Sequence, residues 1–561
     1  MTKSPNFLII VADDLGWSDV GAFGSEINTP NLDTLAKEGL RFTDFHTASA
    51  CSPTRSMLLS GTDNHLAGLG QMAEFASRMH QWDDYPGYEG YLNWRVAALP
   101  EILKEKYDNI ISGKWHLGLT KETSPSARGF EKVFSLLPGA GHHYKDYKPS
   151  DDTYKEKGDD LKKLLPSLYM SGNEFIDADK ELPEDFYSSD YFTTKLEGFL
   201  NEHYSKDKDR PFFAYLPFTA PHWPLQAPRQ LIEKYAGRYN QGPDALRLSR
   251  LKKQENLGLY SSIRDGPPAE VSTGDEKEWS EMREEERKFS SKTMEVYAAM
   301  VERLDWNVGR IIQYLKEKGE YDNTFVLFMS DNGAEGAILE NVPLRGGKVS
   351  DIIRQRYDNS LDNLGNRNSF TWYGPRWALA ATAPSRDFKS YISEGGIRCP
   401  LIVRFPPIIQ NPGSISHTFT TVMDITPTVL ELAGIEHPYP RYAERDVLPV
   451  RGKSWVKHLA TGTSVYNEEL DFTGWELFGQ RAIRRGPWKA IYVPVSSAFF
   501  YLSQKLRDGR RGDSKWKLYN IKEDRAESND LSESRPDILQ ELINYWTLYV
   551  SETGLIPVIE N

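Results

Sequence analysis

Several apolar runs in the chain end abruptly in polar or charged residues. FLIIVA, Phe7 to Ala12, stops at Asp13-Asp14, and NIIS, from Asn109, stops at Gly113-Lys114-Trp115-His116. FFAYLPF, from Phe212, runs into Thr219-Ala220-Pro221-His222, and TFVLFMS, from Thr324, runs into Asp331-Asn332-Gly333. Uninterrupted apolar runs without alternation predict strands covered on both faces, as in a sheet sandwiched by helices. Helical periodicity lies between them. Met294, Ala298, Val301, Leu304, Val308, Ile311 or Ile312 and Leu315 recur every three or four residues until Gly319 supplies a stop. A shorter helix is expected from Asn31 to Gly39, with Pro30 at its start. Ligands gather at the carboxyl ends of strands in open α/β sheets, so the four polar motifs can meet on one rim.

The pattern predicts an α/β fold over residues 1–465, a large mixed, mostly parallel sheet between helices. Charged, turn-rich stretches from Tyr144 to Asp190 and from Pro228 to Arg287 read as insertions or helical excursions outside the core. Lys348 to Ser385, with Trp372, Tyr373 and Trp377, reads as an irregular functional rim. Beyond residue 465 the character changes. Trp475 to Pro494 alternates as a hairpin around Arg485-Gly486-Pro487, and Lys515 to Ile521 makes another strand. A last helix begins near Pro536, with Ile538, Leu542, Tyr545 and Tyr549 on one face. Residues 466–561 are therefore expected to form a small α+β domain with an antiparallel sheet.

Charge and cysteine usage narrow the chemistry. The formal net charge of −12 argues against nucleic acid as a partner, because phosphate binding is normally carried by a basic face. Two cysteines, Cys51 and Cys399, cannot build a disulfide framework or a CxxC zinc site. No apolar stretch reaches the roughly 18 residues of a membrane helix, and the Phe7 run lacks a small-residue cleavage site. The expectation is a cytoplasmic protein without membrane contact, monomeric by default. Cys399, in IRCPLIV, is expected to be a core residue.

CSPTRSMLLSG, from Cys51, is the most specific segment. Ser52 is expected to cap a helix, Pro53 to take its first position and Gly61 to end it, which sets Cys51 at a helix N-terminus that favours anions. The run CSPTR matches C-x-P-x-R and resembles the signature of type I sulfatases. Further segments resemble the same family in order: PNFLIIVADDLGWSDVG, TPNLDTLAKEGLRF, GKWHLG, APHWPLQAP, LFMSDNGAEG, GGIRCPLIVRFP and LYNIKEDRAESNDL. Among sulfatases the chain is most similar to the cytosolic-type bacterial arylsulfatases, with their alkaline-phosphatase-like fold.

The resemblance implies that Cys51 is converted by a formylglycine-generating enzyme into formylglycine, whose hydrated aldehyde is the nucleophile. It also implies one Ca²⁺ held by Asp13, Asp14, Asp331, Asn332 and position 51. An oxygen-rich ligand set without imidazole suits a hard cation ahead of Zn²⁺. Singly, Asp13-Asp14 would more simply cap a helix and Asp331-Asn332-Gly333 make a turn. A small-molecule sulfate ester needs donors on its nonbridging oxygens and a proton for its leaving oxygen, for which Arg55, Lys114, His116, His222 and Lys389 are the candidates. Lys114, His222 and Lys389 are the expected substrate contacts. By the same resemblance Asp331 is the base for the attacking hydroxyl, His222 with Lys389 protonates the leaving group, and His116 takes the proton that releases sulfate. The expected site is net positive on an acidic protein. Two alternatives stay open: a phosphonate monoester or phosphodiester hydrolase of the same fold, and a non-enzymatic Ca²⁺-binding scaffold if Cys51 stays unmodified.

Overall fold

Ten strands form the main sheet of the computed structural model, which describes residues 3–145, 167–207, 209–260, 277–336, 338–339, 343–344, 347–494 and 513–558. They are β1 (Asn6–Ala12), β2 (Leu40–Phe42), β3 (Asp108–Lys114), β4 (Lys132–Leu136), β5 (Tyr169–Ser171), β6 (Glu174–Ile176), β7 (Phe212–Pro217), β8 (Thr324–Ser330), β9 (Leu401–Arg404) and β10 (Ile415–Ser416). Their order is β10-β2-β9-β8-β1-β7-β3-β4-β5-β6. The centre, β8-β1-β7-β3-β4, is parallel throughout, and antiparallel pairs flank it at β9 and β5. The four apolar runs are thus adjacent parallel strands, and their polar ends share one edge.

The register explains why those runs do not alternate. Leu8, Ile10 and Ala12 of β1 join Val326 and Phe328 of β8 and Ala214 and Leu216 of β7 in one core. Phe7, Ile9 and Val11 join Phe325, Leu327 and Phe213 in the other. Successive side chains point to opposite faces, so a strand covered on both faces is apolar at every position. Each fully buried residue of this size contributes about 1.5–3 kcal/mol. The first core is closed by α1 (Pro30–Glu38), the second by α2 (Cys51–Ser60). Onto the first core also pack α3 (Ser188–Lys206), α4 (Pro243–Asn256) through Leu246, and α5 (Glu284–Glu317). Three glutamates in the first turn of α5, Glu284 to Glu286, favour its start well before Met294.

Three stretches differ from the sequence expectation. Between Tyr144 and Asp190, β5 and β6 extend the sheet as antiparallel edge strands instead of standing outside it, and residues 146–166 lie outside the described residues. Between Pro228 and Arg287, α4 is anchored by the buried Arg250, whose guanidinium meets Asp19 at 2.5 Å and Glu26 at 2.9 Å. That pairing makes a charged helix part of the interior, and residues 261–276 again lie outside the described residues. Lys348 to Ser385 is less irregular than expected, with helices at Val349–Arg356 and Pro375–Ala381 and a buried Phe370 and Trp377.

The last part of the chain forms a separate small antiparallel sheet, β11 (Phe472–Leu477), β12 (Gln480–Arg485), β13 (Trp488–Tyr492) and β14 (Trp516–Asn520), followed by α6 (Pro536–Thr553). The turn at Gly486 is where the alternation places it. A second turn at Phe478-Gly479, both with positive φ, divides the Trp475 to Pro494 stretch into three strands instead of two. Leu542, Trp546 and Tyr549 of α6 pack on Ile483, Ala490 and Leu518. The opposite face carries Trp475, Ala482 and Ile491 against Ile392 and Ile397 of the larger unit.

Candidate active site

Each candidate side chain is positioned by the end of a central strand or by α2. Asp13 and Asp14 follow β1, and Asp14 takes left-handed backbone, φ 68°, while its N–H donates to Asp331 Oδ1 at 3.2 Å. Asp331 and Asn332 follow β8, and His222 lies five residues past β7. Lys114 ends β3 next to Gly113, where φ is 141° and a Cβ would stand 2.0 Å from the Pro217 carbonyl oxygen. Only glycine lets β3 and β7 approach there. At α2 the helix begins two residues earlier than expected. Ala50 is the extended flanking residue and Cys51 the first helical one, so Ser52 is not the cap. Pro53 fits the first turn, whose N–H groups have no helical acceptor. No side chain caps the helix; Thr54, inside its first turn, accepts the Ala48 N–H at 3.0 Å and so ties the preceding segment to it. Gly61 ends the helix at φ 68°, as expected.

The candidates converge. One polar atom each from Asp13, Asp14, Cys51 and Asp331 lies within 4.8 Å of the others, and all four residues are buried. Arg55 donates to Asp331 Oδ2 from Nε at 3.0 Å and Nη2 at 2.7 Å, and to the Lys114 carbonyl at 3.0 Å. Lys114 Nζ reaches both Asp13 oxygens at 2.8 and 2.7 Å. Lys389 Nζ donates to Asp14 Oδ2 at 2.9 Å, and His222 Nε2 is 3.4 Å from the same oxygen. Asn332 donates its amide to Asp14 Oδ1 at 2.7 Å, which leaves its own Oδ1 buried with no hydrogen-bond partner among the described residues. A buried acceptor without a donor is costly unless something positive meets it. The donor set, three carboxylates and that amide oxygen, fits a hard divalent cation.

The electrostatics follow from burial and these neighbours. Burial raises the Asp13 carboxyl, against Lys114 and with the help of Asp331 and Asp14, to about 7. For Asp14 burial also opposes charge, but Lys389, His222 and Lys114 outweigh it and hold the carboxyl well below its usual range. Burial pushes the Cys51 thiol well above its ordinary value despite Lys114 and Lys389, so it stays protonated and is a poor nucleophile as cysteine. Burial likewise keeps the His222 imidazole neutral. Lys389 goes the other way: burial disfavours its charge, but Asp14 leads a set of anions that holds the ammonium charged.

Two acidic residues at the site had escaped the sequence reading. Glu335 stands 3.0 Å from Lys389 Nζ and reduces the expected positive charge by one. Its signal lay in the quoted LFMSDNGAEG segment, two residues past Gly333. Glu74, 3.0 Å from His116 Nε2, carries no local motif at all. Beside His222, Trp223 packs with Leu339 and with Val349, Ile353, Tyr357, Phe370 and Trp372 of the expected rim in one apolar group. Cys399 is buried in the core, its sulfur 3.4 Å from Thr47 Oγ1. A second acidic and histidine group, Asp44, His46 and Glu394, is already matched by Arg484, Arg525 and Lys489.

Comparison with known proteins adds a family likeness. The sulfatase family model matches residues 5–435. The chain is 55% identical over 557 residues to an uncharacterized sulfatase of Schizosaccharomyces pombe, covering 99% of this chain and 95% of that protein. It is 34% identical to an arylsulfatase of Klebsiella aerogenes, over 81% of this chain and 91% of the relative. Among solved structures, Ps i-CgsB in complex with k-i-k-neocarrahexaose superimposes with a TM-score of 0.65 at 23% identity, covering 98% of this chain and 93% of the other.

Proposed function

The chain belongs to the sulfatase family, and from that premise we propose that it hydrolyses aryl sulfates with a formylglycine formed from Cys51 and one bound Ca²⁺. The observation that carries this reading is the buried group of Asp13, Asp14, Asp331 and the unpartnered Asn332 Oδ1 around Cys51, ringed by Arg55, Lys114 and Lys389. Aryl preference rests on the Klebsiella relative and on the aromatic group beside His222.

Asp13, Asp14, Asp331, Asn332 and the group at position 51 would hold the ion, which supplies Lewis acidity to the sulfate oxygens, while the hydrated aldehyde supplies the nucleophilic hydroxyl. Asp331 accepts the proton of that hydroxyl, and Arg55, fixed by two bonds to Asp331 and one to the Lys114 carbonyl, orients it. Lys114 and Lys389 offset charge on the nonbridging oxygens. The leaving oxygen takes its proton from Lys389. His222 shares this task only as an imidazolium, because its Nδ1–H is committed to the Trp223 carbonyl at 2.6 Å and the neutral Nε2 can only accept. His116 accepts the proton that releases sulfate. We further propose a cytoplasmic protein processed by a formylglycine-generating enzyme and acting as a monomer. Both cysteines are buried and unpaired, and no helix among the described residues is long and apolar enough to cross a membrane.

Mass spectrometry of the peptide containing position 51 tests the modification, since formylglycine is lighter than cysteine. Activity is tested by comparing kcat/KM for an aryl sulfate with that for matched phosphodiesters and phosphonates. Sulfate is expected to win, and Cys51→Ala or Cys51→Ser to lower turnover by more than about 10³-fold. A larger value on phosphorus substrates would replace this reading with the hydrolase of those esters, and an unmodified, inactive Cys51 with a binding scaffold.

A further inference from the structure

His116 is held by its backbone and by its surroundings. It sits two residues beyond β3 in left-handed conformation, φ 58°. Its ring fills the space over Gly139, where a Cβ would lie 2.4 Å from Cε1 and 2.5 Å from Nε2. Nε2 is 3.0 Å from Glu74 Oε1, while Nδ1 is buried with no hydrogen-bond partner among the described residues. A carboxylate only accepts hydrogen bonds, so the neutral imidazole must carry its hydrogen on Nε2 and its lone pair on Nδ1. The two partners differ in exposure. The His116 side chain is 8% exposed and that of Glu74 51%, which places the carboxylate between the pocket and bulk water.

We propose that Glu74 is a positioning residue for the sulfate-releasing half of the reaction, fixing His116 in the Nε2–H tautomer so that Nδ1 is the proton-accepting atom. The inference rests on the sulfatase reading for the reaction and on geometry alone for the tautomer. One proton moves from a hydroxyl in the pocket to Nδ1, Nε2–H stays shared with Glu74, and the imidazolium later returns one proton to solvent water. Around the ring, burial opposes the charged form most, Glu74 favours it, and Lys114 and Arg55 oppose it. Without the Glu74 charge, nothing in that set stabilises the imidazolium.

The test uses Glu74→Gln and Glu74→Asp in the full chain. Glu74→Gln is expected to lower kcat by roughly 10–100-fold with KM little changed, as for other carboxylates that orient a working histidine. Its acid limb should move to lower pH, because loss of the anion lowers the imidazole pKa. Glu74→Asp should recover part of kcat. In a Cys51→Ala background, ¹⁵N NMR of His116, assigned by its loss in His116→Gln, should show a protonated Nε2 and a bare Nδ1, and a mixture once Glu74→Gln is added. A protonated Nδ1 in the Cys51→Ala protein, or a wild-type kcat and pH profile in Glu74→Gln, overturns the proposal. The NMR arm needs no turnover, so a wild-type chain inactive on sulfate esters counts against the proposed function while the tautomer is still decided.

Discussion

At the scale of single residues, the site is a set of buried charges that depend on one another. Arg55 and Asp331 are both fully buried and 2.7 Å apart. Removing one partner of such a pair leaves an uncompensated charge and typically costs about 3–5 kcal/mol. Asp331→Ala should therefore depress the unfolding midpoint as well as abolish turnover, and a midpoint equal to wild type would show that Arg55 finds another anion. Asn332 differs, because its Oδ1 has no protein donor to lose among the described residues. Asn332→Ala should weaken Ca²⁺ binding in calorimetry while changing stability in chelator by only about 1 kcal/mol. Wild-type protein should melt at a higher temperature in Ca²⁺ than in chelator, by mass action on the folded state, and the variant should lose most of that difference. Equal affinity in the two proteins would exclude the amide as a ligand.

At the scale of elements, the strand ends deliver the chemistry, and the delivery depends on how closely strands approach. Gly113 is a tight case between two central strands, with the Pro217 carbonyl 2.0 Å from where a Cβ would be. Gly113→Ala must push β3 away from β7, at a cost of about 1–3 kcal/mol, and carry Lys114 with it. A shift of that kind near reacting groups lowers turnover by about 100-fold. The check is paired: unfolding stability and kcat on the same variant, with an unchanged kcat showing that Lys114 is placed by Asp13 and not by its strand. The four strands and the long helix were legible because two-sided burial leaves uninterrupted apolar runs and one-sided burial leaves a helical period. The start of α2 differs from the sequence expectation by two residues. Ser52 and Pro53 suit a cap and a first helical position, but the chain is already helical at Cys51, with Ala50 flanking it and no side chain capping the helix.

At the scale of the whole molecule, the small antiparallel unit is tied to the larger one through His65. Its Nδ1 meets Asp63 at 2.8 Å and its Nε2 meets Glu476 of β11 at 3.2 Å, while Tyr549 of α6 donates to Asp63 at 2.8 Å. Both ring nitrogens face carboxylates, so the arrangement wants the imidazolium. Burial disfavours that charge, but Asp63 and Glu476 outweigh it and raise the pKa to about 9. A folded-state value above the unfolded one of about 6.5 gives stability that is complete below pH 6.5 and lost as pH rises through 9, on the order of 3 kcal/mol. Unfolding free energy should therefore fall between those limits in wild type and much less in His65→Gln; parallel pH profiles would remove His65 from the docking account.

The chain order of apolar runs, the residues that end them and the CSPTR segment determined the fold class and nearly every side chain that meets at the site. That was possible because strand burial and cap chemistry are local, and because the carboxyl ends of parallel strands lie on one edge whatever the loops do. Tertiary structure alone decided which charges pair. Glu74 reaches His116 from 42 positions away, and Glu476 reaches His65 across 411. No periodicity or motif records such a pairing, since it depends on which elements packing brings within about 3 Å. The same holds for α4, whose charged sequence reads as surface until Asp19 and Glu26 neutralise Arg250 in the interior.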